Sequence, residues 1–106
     1  MTYIFVYSWY PSHKTEEVVK VYLEMLKKFP VDESLVEEII PSAVKTGCEG
    51  IKTLGVNKVM EGKLEDALTR ARTQMAMFLS IEGFEYSIEV WATVEEGLAV
   101  IGKSLP

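Results

Sequence analysis

The stretch Thr2–Tyr10, TYIFVYSWY, runs without a glycine, a proline or a charge. Its side chains are aromatic, β-branched or hydroxylic, which is the composition of a β-strand. Alternation sends Tyr3, Phe5, Tyr7 and Trp9 to one side and Ile4, Val6, Ser8 and Tyr10 to the other. Both sides are largely apolar. A strand of that kind sits in the middle of a sheet and is covered on both faces. The rest of the chain must supply those covers.

After Pro11 the period changes. In PSHKTEEVVKVYLEMLKKFP the apolar residues Val18, Val19, Tyr22, Leu23, Met25, Leu26 and Phe29 recur at helical spacing. Ser12 is the expected N-cap, Glu16 and Glu17 suit the first turns, Lys27 and Lys28 suit the last, and Pro30 stops the helix. Two strands follow, about Leu35–Thr46 and Ile51–Glu61, joined by a turn through TGCEG. Pro41 lies inside the first of them. Proline cannot donate to a ladder, so this strand is expected at the sheet edge, with a bulge. GKLEDALTRARTQMAMFLSIEG reads as a second helix with Leu64, Leu68, Ala71, Met75, Phe78 and Leu79 on its buried stripe. FEYSIEVWA alternates as a strand. Thr93 and Glu96 have the spacing of a capping box for a short last helix, Val94 to about Gly102.

The order is β-α-β-β-α-β-α in one domain, residues 1–106. Two split βαβ units predict an α+β, ferredoxin-like βαββαβ fold with a short C-terminal helix. Its four-stranded antiparallel sheet has the first and third strands in the centre and both main helices on one face. The composition fits a soluble domain: 48% hydrophobic, 25% charged. A net charge of −5 without a basic run argues against a nucleic-acid partner. No apolar run approaches the length of a membrane span, and the N-terminus has no basic region of a signal peptide. The single cysteine cannot form an internal disulfide, so a cytoplasmic location is expected.

Helices on one face leave the other face of the first strand bare. Leaving that aromatic stripe wet would cost roughly 25 cal/mol per Å² of apolar surface. The simplest cover is a second copy of the sheet. With YIFVYSWY, the long proline-bearing second strand and the βαββαβ order, the chain resembles the dimeric α/β-barrel proteins. The resemblance covers nearly the whole chain and is architectural. It implies a homodimer whose two sheets face each other and enclose a cavity. Members of that superfamily include cofactor-free monooxygenases, haem-degrading and haem-binding enzymes, and muconolactone isomerase-like proteins, so the fold decides little about function.

Candidate site residues can be weighed on their own chemistry. Phe5, Tyr7, Trp9 and Trp91 are candidates to line a ligand cavity, and equally to pack a dimer interface. Asn57 is unusual in a central strand; with Thr53, Gly55 and Val59 on its face it would leave room beside the aromatic strand and orient a ligand. The plainer alternative is a bulge at Gly55 with Asn57 turned to solvent. His13 is the lone histidine and the natural candidate for a base or a haem ligand, against a solvated residue in a connecting turn. Glu89, with Glu85, shares a face with Trp91. Facing a closed cavity it would suit a general base; on an edge strand it would simply discourage aggregation. Cys48 reads as a turn thiol, and the methionines as adaptable core filling. No metal is expected, since one histidine and one cysteine cannot make a two-histidine site. No cofactor is required either, with haem left open. The expected function is binding of a small apolar or aromatic molecule between the two sheets. The alternatives are a cofactor-free monooxygenase or isomerase acting on an aromatic or polyketide-like substrate, and a structural or regulatory module with a filled barrel.

Overall fold

The computed structural model describes all residues, Met1–Pro106. Four strands form one antiparallel sheet: β1 (Thr2–Tyr10), β2 (Val36–Gly47), β3 (Gly50–Val59) and β4 (Glu85–Ala92). Their spatial order is β2-β3-β1-β4. The doubly apolar first strand is therefore central, and the ferredoxin-like topology is present as expected. Helices α1 (Thr15–Lys28) and α2 (Leu64–Ala76) provide the crossovers, and α3 (Val94–Val100) follows β4. The shortest dimension is 18 Å, the thickness of one sheet and one helical layer. No helix is long and apolar enough to cross a membrane.

Two buried clusters fix the helices to the sheet. Tyr10, Val18, Ile51, Phe78 and Ile81 form one, and Ile4, Val59 and Ala67 the other. The covered face thus carries Ile4, Val6, Ser8 and Tyr10 of β1. The aromatic set Tyr3, Phe5, Tyr7 and Trp9 lies on the open face.

Pro41 is on edge strand β2, and the β2–β3 register shifts between Glu38 and Ile40 and again between Ile40 and Ala43. The missing N–H is thus absorbed by a bulged edge. The bulge bends the backbone toward Gly55, where an added Cβ would lie 3.4 Å from the Pro41 carbonyl oxygen. The irregularity belongs to β2; Gly55 itself keeps its pairing with Val6. At the β2–β3 turn Gly50 has φ +113°, and a side chain there would meet the Tyr10 carbonyl. Only glycine suits that position.

Two local expectations need correction. Ser12 does not cap α1. Residues Ser12–Lys14 form a 3₁₀ turn with no capping side chain, and the Thr15 hydroxyl donates to the Ser12 carbonyl instead. Helix α2 ends at Ala76, and Leu79 is 69% exposed. Beyond Ala76 the N–H groups of Phe78 and Ile81 donate to the carbonyls three residues earlier, those of Met75 and Phe78. That tighter winding brings Phe78 and Ile81 inward in place of Leu79. The last helix does begin as read: the Thr93 hydroxyl accepts from the Glu96 N–H at 3.3 Å.

Candidate functional site

The open face is a regular grid. Across β2, β3, β1 and β4 its rows read Lys45–Lys52–Trp9–Glu85, Ala43–Leu54–Tyr7–Ser87, Ile40–Val56–Phe5–Glu89 and Glu37–Lys58–Tyr3–Trp91. The aromatic rings form a chain. Trp9 and Tyr7 have centroids 6.1 Å apart, Tyr7 and Phe5 6.2 Å, and Phe5 and Trp91 5.2 Å. Phe5, Tyr7, Trp9 and Trp91 are thus brought together, half-buried except for the more exposed Trp91. Glu89 is exposed on the same face and accepts from the Trp91 indole N–H at 2.9 Å. It stands on an edge strand in contact with solvent. His13 is exposed in the 3₁₀ turn and reaches neither face of the sheet centre.

Asn57 is not with the aromatic rings. Its cross-strand partner is Ile4, so its side chain lies on the helix-covered face. There it lines a cavity of about 170 Å³ between the sheet and the two helices. This cavity lies within a single chain. The sheet contributes Ile4, Val6, Ser8, Thr53, Gly55 and Asn57 as its floor. Helix α1 and its exit supply Val18, Tyr22, Met25, Leu26 and Phe29; α2 and its exit supply Ala67, Ala71, Gln74, Met75 and Phe78. Fourteen of the 24 lining residues are hydrophobic, so the walls are mainly apolar with a few polar groups on the floor.

The local sequence explains why the space exists. Gly55 places no side chain in the middle of the floor, and Ser8 and Thr53 are small. Ser8 is only 3% exposed, and its hydroxyl is hydrogen-bonded to that of Thr53 across the β1–β3 pair. Those two groups satisfy each other. Asn57 Oδ1 is different: it is buried and has no hydrogen-bond partner. A buried acceptor left unpaired costs about 1–3 kcal/mol.

The charged side chains lie at the rim. Arg70 donates to the Pro30 carbonyl and stands over the Phe29 ring at 5.6 Å, tying the segment after α1 to α2. Asp32 lines the same edge. Hydrogen bonds from the Ser34 hydroxyl and N–H, helped by nearby Arg70 and Lys63, hold its carboxyl below the usual range. Its stabilising contribution is present above the ordinary aspartate pKa and is lost as pH falls through the lowered one. Glu38, the cross-strand partner of Asn57, completes the rim. In the core cluster with Val18 and Phe78, burial raises the Tyr10 phenol pKa.

Ser8, Tyr22, Glu38 and Arg70 were not singled out by the sequence. Ser8 carried a faint signal as the one small hydroxyl on the Ile4–Val6–Tyr10 side of an otherwise bulky strand. The others become visible only once α1, α2 and the β2 bulge are placed around it.

No protein-family model matches the chain, and no curated protein matches it. Among solved structures it is similar to a formyltetrahydrofolate deformylase from Pseudomonas putida KT2440, with a TM-score of 0.47 and 13% identity. The match covers 88% of this chain and 29% of that one, so the chain spans under a third of the length of that enzyme.

Proposed function

We propose that this protein binds a small, mainly apolar molecule in the cavity between its helices and its sheet, and that it does so as a homodimer joined through the open sheet faces. The observation that carries the binding reading is the unpaired Asn57 Oδ1 on the floor of a largely apolar 170 Å³ cavity. A ligand that fills the space and brings a donor would relieve the unpaired acceptor.

The dimer reading draws on the pattern of charge. Lys45 and Lys52 occupy one side of the open face, and Glu85 and Glu89 the opposite edge. A two-fold axis running midway between the two facing sheets and parallel to their strands would set Lys45 of one copy over Glu85 of the other, and Lys52 over Trp9. An axis midway between the sheets but across the strands would bring Lys52 toward Lys58 instead. The first arrangement covers both aromatic stripes and matches opposite charges, which favours a second copy as the occupant.

The binding reading is tested by filling the floor. An added Cβ at Gly55 makes ordinary contact with the β2 backbone, so the excess bulk of Gly55→Val extends into the cavity. With p-xylene at ten times its Kd, the wild type should gain about 1.4 kcal/mol of stability, read as a rise in Tm. Gly55→Val should fold and gain almost nothing. No ligand-induced rise in the wild type, or an equal rise in both, contradicts the reading.

A further inference from the structure

Resting on that reading, we propose that the cavity selects an uncharged, single aromatic ring bearing a hydroxyl group, a simple phenol. Size sets the first limit. A protein cavity of about 150 Å³ holds benzene, and this one measures about 170 Å³. One ring with a small substituent fits that space.

The walls set the second limit. Phe29 and Phe78 present rings, and Met25 and Met75 present thioethers, all of which pack favourably on an aromatic ligand.

The floor sets the third. Ser8 and Thr53 already engage each other, which leaves Asn57 Oδ1 as the buried polar atom in need of a donor. A hydroxyl supplies one. A carboxylate or phenolate would oppose one acceptor with another. It would also bring a second negative charge beside Glu38, the cross-strand neighbour of Asn57 that lines the same cavity.

The test compares p-cresol with p-xylene, which differ by a hydroxyl in place of a methyl. Transfer from water alone ranks p-xylene as the tighter ligand. Calorimetric titration of the full chain should give the reverse, with p-cresol at least about tenfold tighter. In Asn57→Leu the order should invert while p-xylene still binds. Tighter binding of p-xylene by the wild type would overturn the phenol assignment and leave the apolar-ligand reading standing. So would a preference for 4-methylbenzaldehyde, an acceptor without a donor, or a p-cresol preference that survives Asn57→Leu. Failure of every one of these compounds to bind would overturn both.

Discussion

Trp9→Glu is expected to leave a folded monomer at concentrations where the proposed wild-type dimer stays assembled. Trp9 sits in the row Lys45–Lys52–Trp9–Glu85 and stacks on Tyr7, on the face that no helix covers. Two-fold symmetry puts each substituted side chain into the interface twice. Losing the Trp9 ring from the interface and burying a carboxylate that the neighbouring Lys52 only partly offsets weaken association by at least about a hundredfold, about 2.7 kcal/mol. The fold should survive, because both core clusters lie on the other face. Sedimentation at low micromolar concentration reads the assembly, and circular dichroism reads the fold. A compact wild-type monomer would remove the dimer. A variant that remains dimeric would place the interface elsewhere.

Ile4 and Asn57 face each other across β1 and β3, and their substitutions should act with opposite signs. Ile4 is the most completely buried large side chain, 1% exposed, against Val59 and Ala67. Ile4→Ala should cost about 3–4 kcal/mol from lost burial and the void left behind. Asn57→Leu should instead stabilise by about 1–2 kcal/mol. It removes an unpaired buried acceptor, and the cavity has room for the side chain. Urea denaturation with unchanged m-values checks both. Stabilisation on losing a polar group is the mark of a residue kept for binding at the expense of the fold. Destabilisation of Asn57→Leu on the scale of Ile4→Ala would make the amide a structural element.

Much of the architecture was legible because its signals are local. The period of two in Thr2–Tyr10, the switch to helical spacing after Pro11, and Pro41 in an edge strand each follow from single residues or short runs. Together they specify the strand order. The Thr93–Glu96 cap was readable for the same reason. What was misread depends on offsets between distant segments. Asn57 could be put on either face until the β1–β3 register was known, and a shift of one residue reverses the answer. The sequence reading placed it beside Phe5, Tyr7 and Trp9; the pairing with Ile4 places it behind them. Leu79 was assigned to the α2 stripe because the apolar spacing continues past Ala76. No glycine or proline marks the change to tighter winding that brings Phe78 and Ile81 inward. Ser12 has the chemistry of a cap, yet the chain after Pro11 first makes a 3₁₀ turn, which moves the start of α1 to Thr15.

The central claim is that the binding site lies inside each copy, between helices and sheet. The most direct measurement is a crystal structure of the protein grown with p-cresol. The account predicts one ring per chain, packed between Phe78 and the β3 floor, with its hydroxyl within about 2.5–3.0 Å of Asn57 Oδ1. A ring held between the open faces of two copies, against Trp9 and Phe5, would contradict it. So would a cavity closed by the surrounding side chains with no ring bound.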